Sequence, residues 1–108
     1  MRVNIGDVIA VRRFYWEGDA ERQVVVSMGR PQQASAEGEF YCPFQITGID
    51  DDERVEAIFG VDAFQAIELA LRFIGSKLTF LNSQSASRLR WEFGEKGDLG
   101  FPSGWTKQ

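Results

Sequence analysis

Apolar and polar side chains alternate along short stretches of this chain, the pattern that half-buried β-strands produce. Stretches that alternate, or are rich in β-branched and aromatic residues, predict strands at residues 7–16, 22–28, 40–46, 54–59 and 88–93. In the third of these, FYCPFQI, the alternation turns four side chains toward the core: Phe40, Cys42, Phe44 and Ile46. Pro43 cannot donate a ladder hydrogen bond, so we expect a sheet edge or a bulge there.

The fourth predicted strand, RVEAIF, alternates less regularly than the others. If it is a strand, every second side chain faces the core, and these are Val55, Ala57 and Phe59. A helix over residues 53–59 is the alternative interpretation of this stretch.

The period changes to that of a helix in the stretch GVDAFQAIELALRFIGSKL. Asp62 and Gln65 have the spacing of a capping box and mark its start, which predicts a helix over residues 62–81. The polar side chains of this helix form one narrow stripe, in which Glu68 and Arg72 are placed to pair.

The apolar surface of the predicted helix is wider than one face of a sheet requires. The stripe predicted to face the core is Phe64, Ile67, Leu71, Ile74 and Leu78. Further apolar side chains, among them Leu69 and Phe73, flank that stripe. We therefore expect either the C-terminal segment or the surface of another molecule to cover part of the helix.

The remaining segments are rich in residues that interrupt regular structure. Residues 29–39 are polar, contain Gly and Pro, and predict a loop. Residues 94–108 contain four glycines and a proline and predict an irregular tail, anchored by Leu99, Phe101 and Trp105. We predict a single α+β domain over residues 1–108, an antiparallel meander of four to five strands with one long helix packed on one face.

Length and composition fit one domain in a reducing compartment. A chain of 108 residues with 44% hydrophobic content can bury one core. The single cysteine, Cys42, rules out an intrachain disulfide, and no apolar run is long enough to span a membrane. The net charge of −4 disfavours binding to nucleic acids or anionic membranes. We therefore predict a cytoplasmic protein with neither of these partners.

Negative charge is concentrated in the middle of the chain. Residues 50–69 carry seven acidic side chains and one basic one, whereas residues 70–108 carry three acidic and six basic ones. The run DDDE is either a solvated turn or an acidic surface for a basic protein partner. Trp16, beside a predicted turn, is either a core residue or an interface anchor. The candidate partner-binding residues are Asp50, Asp51, Asp52, Glu53, Glu56 and Trp16.

Catalysis and ligand chemistry have little support in the sequence. The chain has no histidine, which removes the commonest general base and the Ser-His and Cys-His pairs. Carboxylates such as Glu56 and Glu68 leave a carboxylate-based hydrolase as the alternative. The spacing of a calcium loop and the nucleotide-binding motifs are absent, so we predict no metal and no cofactor. Cys42 points inward by the alternation and is predicted to be a buried, unreactive thiol.

Two arginines, Arg12 and Arg13, are adjacent on the first predicted strand. Neighbouring side chains of a strand point to opposite faces of the sheet. We expect one of the two to stack, to pair with a carboxylate or to lie at the sheet margin, the alternative being exposure through strand twist.

Four motifs, in order, resemble a family of small bacterial proteins known only as a domain of unknown function. They are VVVSMGRP, YCPFQI, FGVDAFQAIELALRFIG and LRWEFGEKGDLGFP, within residues 8–102. The resemblance implies a compact α+β domain with no established activity. The matching positions are Gly29, Pro31, Tyr41, Cys42, Pro43, Gln45, Gly60, Asp62, Gln65, Gly100, Phe101 and Pro102. Most of these already have a role as turn, edge, cap or tail anchor, and we expect Gln45 and Gln65 to bond to each other or to backbone.

These patterns favour a binding function without catalysis. The most concrete form is an immunity or antitoxin-like protein that neutralises a partner protein. One alternative is a homodimer with a structural role, formed through the helix flank or the edge strand near Pro43. The other is a small-molecule binder or carboxylate-based enzyme.

Overall fold

The computed structural model of this protein describes residues 3–85, 88–94 and 98–102. Its elements are β1 (Val8–Trp16), β2 (Asp19–Gly29), β3 (Gln32–Gln33), β4 (Phe40–Thr47), β5 (Glu56–Gly60), α1 (Ala63–Gln84) and β6 (Leu89–Trp91). The six strands form one antiparallel sheet with α1 packed against it, the α+β arrangement that the sequence predicts. Within the described part of the chain, no helix has the length and apolar character to cross a membrane.

The strands follow the predicted meander. β1 pairs with β2, β2 with β4, and β4 with β5, each pair antiparallel. β6 pairs with the end of β1 and lies at the opposite edge of the sheet from β5. Sequence reasoning missed β3, two residues inside the predicted loop 29–39 that pair with the start of β4. A two-residue bridge is too short to show an alternation.

Pro43 lies where one side of β4 lacks a strand partner in the described sheet. On that side β2 pairs with residues 44–47 and β3 with residues 40 and 41, which leaves residues 42 and 43 between them. β5 continues past Pro43 on the other side. Because a proline has no backbone N–H to contribute to a ladder, this gap suits it. The edge predicted at Pro43 is therefore confined to residues 42 and 43 on one side of β4, between β2 and β3.

The start of α1 has the hydrogen bonds that its sequence predicts. The carboxylate of Asp62 accepts from the backbone N–H of Gln65 at 2.8 Å. In return, the Gln65 side chain accepts from the backbone N–H of Val61 at 2.8 Å, so two N–H groups at the helix start are satisfied. The predicted pair of Glu68 and Arg72 forms one turn further on, at 3.4 Å.

α1 turns four of the five predicted stripe residues toward the core: Ile74 and Leu78 are buried, and Ile67 and Leu71 pack against the core. Its buried residues are Ala66, Ala70, Ile74, Gly75 and Leu78. Phe64, predicted to face the core, is 86% exposed. Small side chains such as alanine let a helix approach a sheet closely, and that contact decides which face is buried. On the flank, the ring of Phe73 packs 5.6 Å from that of Phe44 in β4.

The inward face of β5 is also offset by one residue from the prediction. The predicted inward set was Val55, Ala57 and Phe59. In the structure Ile58 packs against the core, opposite the buried Cys42, while Phe59 is exposed. Glu56 shares the face of Ile58, and its carboxylate lies 3.1 Å from Lys77 of α1. The prediction was wrong because it assigned Glu56 to the outward face as a charged residue. Glu56 lies at the margin of the inward face instead, where the ion pair with Lys77 accommodates its charge.

The core lies between the sheet and α1. Its largest fully buried side chains include Phe14, Phe44, Ile74, Leu78 and Leu89. Residues 98–102, called here the tail segment, join it through Leu99 and Phe101, two of the three predicted anchors. The third, Trp105, lies outside the described residues.

Candidate interaction surface

Arg12 connects β1 to the tail segment. Its guanidinium carbon lies 4.1 Å from the ring centroid of Trp91 in β6 and 4.9 Å from that of Phe101. One terminal nitrogen donates to the carbonyl oxygen of Gly100 at 2.6 Å. Each cation–ring contact stabilises by about 0.5–2 kcal/mol, depending on exposure. Arg12 is thus the member of the arginine pair that stacks, as expected, and Arg13 is exposed.

Two glycines allow the tail segment to lie this close. Gly100 has a φ of +80°, and a side chain there would overlap Arg12 and Trp91. Gly75 of α1 lies against the carbonyl group of Pro102, and a Cβ on Gly75 would overlap that oxygen. The tail segment therefore covers part of α1, one of the two outcomes that its apolar width predicts.

An open cavity of about 260 Å³ lies between β1, β2, α1 and the tail segment. It is lined by residues 10–12, Val26, Met28, Leu71, Ile74 and residues 100–102. Among these described lining residues, Arg12 carries the one charged side chain. The cavity thus combines apolar walls with a single cation, the composition typical of a recognition pocket.

The edge of β1 beside this cavity is open over residues 8–13. β2 pairs with one side of β1, but on the other side β6 pairs only with residues 14–16, so no described strand lies on that side of residues 8–13. The apolar side chains there are about half exposed: Val8 48%, Ile9 54% and Val11 47%. A bulge at Ile9 interrupts the register with β2 and leaves residues 10–13 as the regular stretch. Free N–H and C=O groups on such an edge can bond to an added strand.

The predicted acidic run forms a turn between β4 and β5 and uses part of its charge internally. Glu53 accepts from the backbone N–H of Gly48 at 2.9 Å, and Asp50 accepts from that of Asp52 at 2.9 Å. All four acidic side chains of residues 50–53, the acidic turn, are exposed. The turn is therefore a structured, solvated feature that presents negative charge at the surface.

The carboxylates around the acidic turn have cationic neighbours. Asp52 lies 3.0 Å from Arg54, and Glu56 lies 3.1 Å from Lys77. Pairs this exposed contribute little to stability. Glu56 is adjacent to the turn in sequence but pairs with α1. In the described residues, no three potential metal ligands come together.

Trp16 is a core residue and not a surface anchor. Its side chain is 3% exposed, and among the described residues its Nε1 has no hydrogen-bond partner. Trp16 shares the inward face of β1 with Phe14, because residues two apart point to the same side. Of the two interpretations that the sequence leaves open for Trp16, the core residue is therefore the correct one, and Trp16 is removed from the candidate partner-binding residues.

Cys42 and the two glutamines have structural roles. Burial raises the pKa of the Cys42 thiol from 9.0 to about 11, so it stays protonated and unreactive at neutral pH, as predicted. The Gln45 side chain donates to the backbone carbonyl of Glu53 at 2.5 Å, which braces the acidic turn. Gln65 caps α1, so both glutamines bond to backbone and not to each other.

The open edge and the cavity were not predicted as a site. The one sequence feature that pointed to this region was the pair of adjacent arginines, Arg12 and Arg13. Because neighbouring strand residues point to opposite faces, one of the two needed a stacking or pairing partner. An alternating pattern identifies a strand but does not show which of its edges a neighbour covers.

Residues 10–103 match the family described as Domain of unknown function (DUF6968), and the chain belongs to this family. The resemblance drawn from its four motifs is thereby confirmed. No curated protein and no solved structure matches the chain.

Proposed function

We propose that this chain is a non-catalytic protein-binding domain of the cytoplasm, which adds an extended segment of a partner to the open edge of β1. The observation that carries the proposal is the half exposure of Val8, Ile9 and Val11 on a stretch that has no described strand on its side away from β2. Exposed apolar edges invite pairing with other chains, and the two arginines at residues 12 and 13 of this edge favour a partner of complementary charge. Here a cavity between sheet and helix adjoins the edge, so backbone pairing and side-chain insertion can act together.

A charged substitution on the edge tests this proposal. We expect Val11→Asp to reduce capture of a specific partner from the source cell at least ten-fold, because a carboxylate in the apolar part of the edge loses its water when a strand is added. The matched control is Phe64→Asp, the same kind of change at an exposed site on α1. Quantitative pull-down compares the two variants with wild type. Unchanged capture by Val11→Asp would reject the β1 edge, and loss in Phe64→Asp alone would move the binding surface to the helix.

A finer version of the proposal is an immunity or antitoxin-like protein that neutralises a basic partner through the acidic turn. The exposure of residues 50–53 supports it, because like charges in one turn steer a cationic protein by long-range attraction. We expect the double change Asp51→Lys and Asp52→Lys to slow association at low salt more than at high salt. Stopped-flow or surface binding measures the rates. A salt-independent rate, unchanged by the substitution, rejects this version and leaves strand addition in place.

A homodimer remains the second candidate, with the same β1 edge or the exposed Val61 and Phe64 at the start of α1 as its interface. Light scattering across a concentration series decides it. A constant mass of one chain removes the homodimer.

A further inference from the structure

Arg12 differs from several other arginines of this chain in having no carboxylate partner among the described residues. Four others pair with an acidic side chain: Arg30, Arg54, Arg72 and Arg90. Arg12 instead contacts two aromatic rings and makes one hydrogen bond, to the carbonyl of Gly100. A guanidinium has five N–H donors in a planar fork, so it keeps donors for a further acceptor. Its charge is held in place beside an apolar cavity without a counter-ion.

The size of the cavity limits what can fill it. At about 260 Å³ it is smaller than the roughly 300–1,000 Å³ of sites that enclose a small-molecule ligand. It suits a single apolar side chain. The neighbouring open edge, residues 8–13, supplies a way to hold the backbone that carries such a side chain.

The charge on β1 favours an acidic occupant over a second copy of this strand. Arg12 and Arg13 fall within residues 10–13, the regular part of the open edge. Two such edges side by side would bring like charges together, which destabilises strand pairs. An acidic segment would instead complement them.

We propose, resting on the strand-addition function above, that the partner segment carries an acidic residue two positions from a large apolar one. Residues two apart on a strand share a face, so both side chains would point toward the α1 side of the sheet. The apolar side chain enters the cavity, and the carboxylate accepts from the donors of Arg12 that Gly100 does not use. A planar fork facing a carboxylate binds it with two parallel hydrogen bonds. Arg12 thereby determines specificity, and the β1 backbone supplies affinity.

A library of displayed random heptapeptides, selected on the whole wild-type chain, provides the probes. We expect the enriched sequences to share Asp or Glu two positions from Leu, Ile, Phe or Val. A selected peptide is then synthesised with blocked termini in its Glu form and in a matched Gln form. Fluorescence anisotropy at low salt should show the Glu form binding wild type at least ten-fold more tightly, with the difference shrinking as salt rises.

Two substitutions separate charge recognition from cavity filling. Arg12→Gln should abolish the difference between the Glu and Gln peptides, whereas the control Arg13→Gln should preserve it. Arg12 also holds the tail segment, so circular dichroism and thermal melting accompany this variant. Ala10→Leu, at an exposed position that lines the cavity, should weaken both peptides at least ten-fold while leaving Arg12 unchanged.

Several results would overturn this inference. If peptides bind without an acidic preference, or the preference survives Arg12→Gln, then Arg12 does not recognise an acidic residue in the bound segment. The proposal of strand addition to β1 would not be affected by that result. If wild type selects no peptide but a chain ending at Pro102 does, the cavity belongs to the protein's own residues 103–108. If neither chain selects any peptide, strand addition itself fails.

Discussion

Phe14→Ala is expected to lower the free energy of unfolding by about 3–5 kcal/mol, the usual cost of removing a buried phenylalanine ring. The side chain is buried to 1% exposure on β1, and its ring centroid lies 6.2 Å from that of Phe101. The backbone of Phe14 pairs with Val24 of β2 on one side and Trp91 of β6 on the other. The cavity left by alanine would therefore lie where sheet and tail segment meet. Urea unfolding followed by circular dichroism measures the change.

The matched control for Phe14→Ala is Phe64→Ala, because Phe64 is 86% exposed. That change should stay within about 0.5 kcal/mol. If Phe14→Ala leaves too little stability for a folded baseline, Phe14→Leu provides a milder step of about 1–1.5 kcal/mol. A cost as small for Phe14→Ala as for Phe64→Ala would contradict the described core.

Gly75→Ala is expected to destabilise the protein by about 1–3 kcal/mol, the range for forcing extra atoms into a packed site. Helix propensity alone predicts the opposite sign, since alanine in a helix interior is favoured over glycine by about 1 kcal/mol. A Cβ on Gly75 would overlap the carbonyl oxygen of Pro102 and lie 3.2 Å from the Cβ of Phe101. Either the tail segment or the helix must move. Chemical unfolding gives the free energy, and limited proteolysis reports release of the tail segment.

A double comparison isolates the cause of the Gly75→Ala effect. In a chain that ends at Leu99, which keeps that buried side chain, the overlap is absent, and Gly75→Ala should stabilise by the normal helical amount. Thr79→Ala, at an exposed position on α1, provides a helix-propensity gain with no overlap, smaller than the gain from Gly→Ala. If Gly75→Ala stabilises the full chain as much as the shortened one, the tail segment does not dock on α1 in solution.

The strands and the start of the helix could be predicted because their signals are local. Alternation locates β4 and its core face, and Asp62 with Gln65 fixes the first turn of α1 within three residues of sequence. The buried face of α1 could be predicted only in part, since Ile67, Leu71, Ile74 and Leu78 face the core and Phe64 does not. Apolar side chains surround most of that helix, so the choice of Ala66 and Ala70 over Phe64 depends on how closely it approaches the sheet.

The candidate site depends on contacts that sequence patterns do not contain. Arg12 bonds to Gly100, 88 positions away, and the cavity exists only once the tail segment has docked. Likewise, the openness of β1 follows from the shortness of β6, which pairs over residues 14–16 alone. The pair of adjacent arginines indicated an unusual environment but did not say that it adjoins an open edge.

Amide hydrogen exchange along β1, with and without a bound peptide from the display selection, tests strand addition most directly. In the free protein, the N–H groups of residues 8–13 that point away from β2 should exchange rapidly, because no described strand covers them. On binding, alternate amides of residues 10–13 should gain protection of at least ten-fold, since an added strand accepts from every second N–H. Protection that rises only in the acidic turn or along α1, with β1 unchanged, would contradict the account.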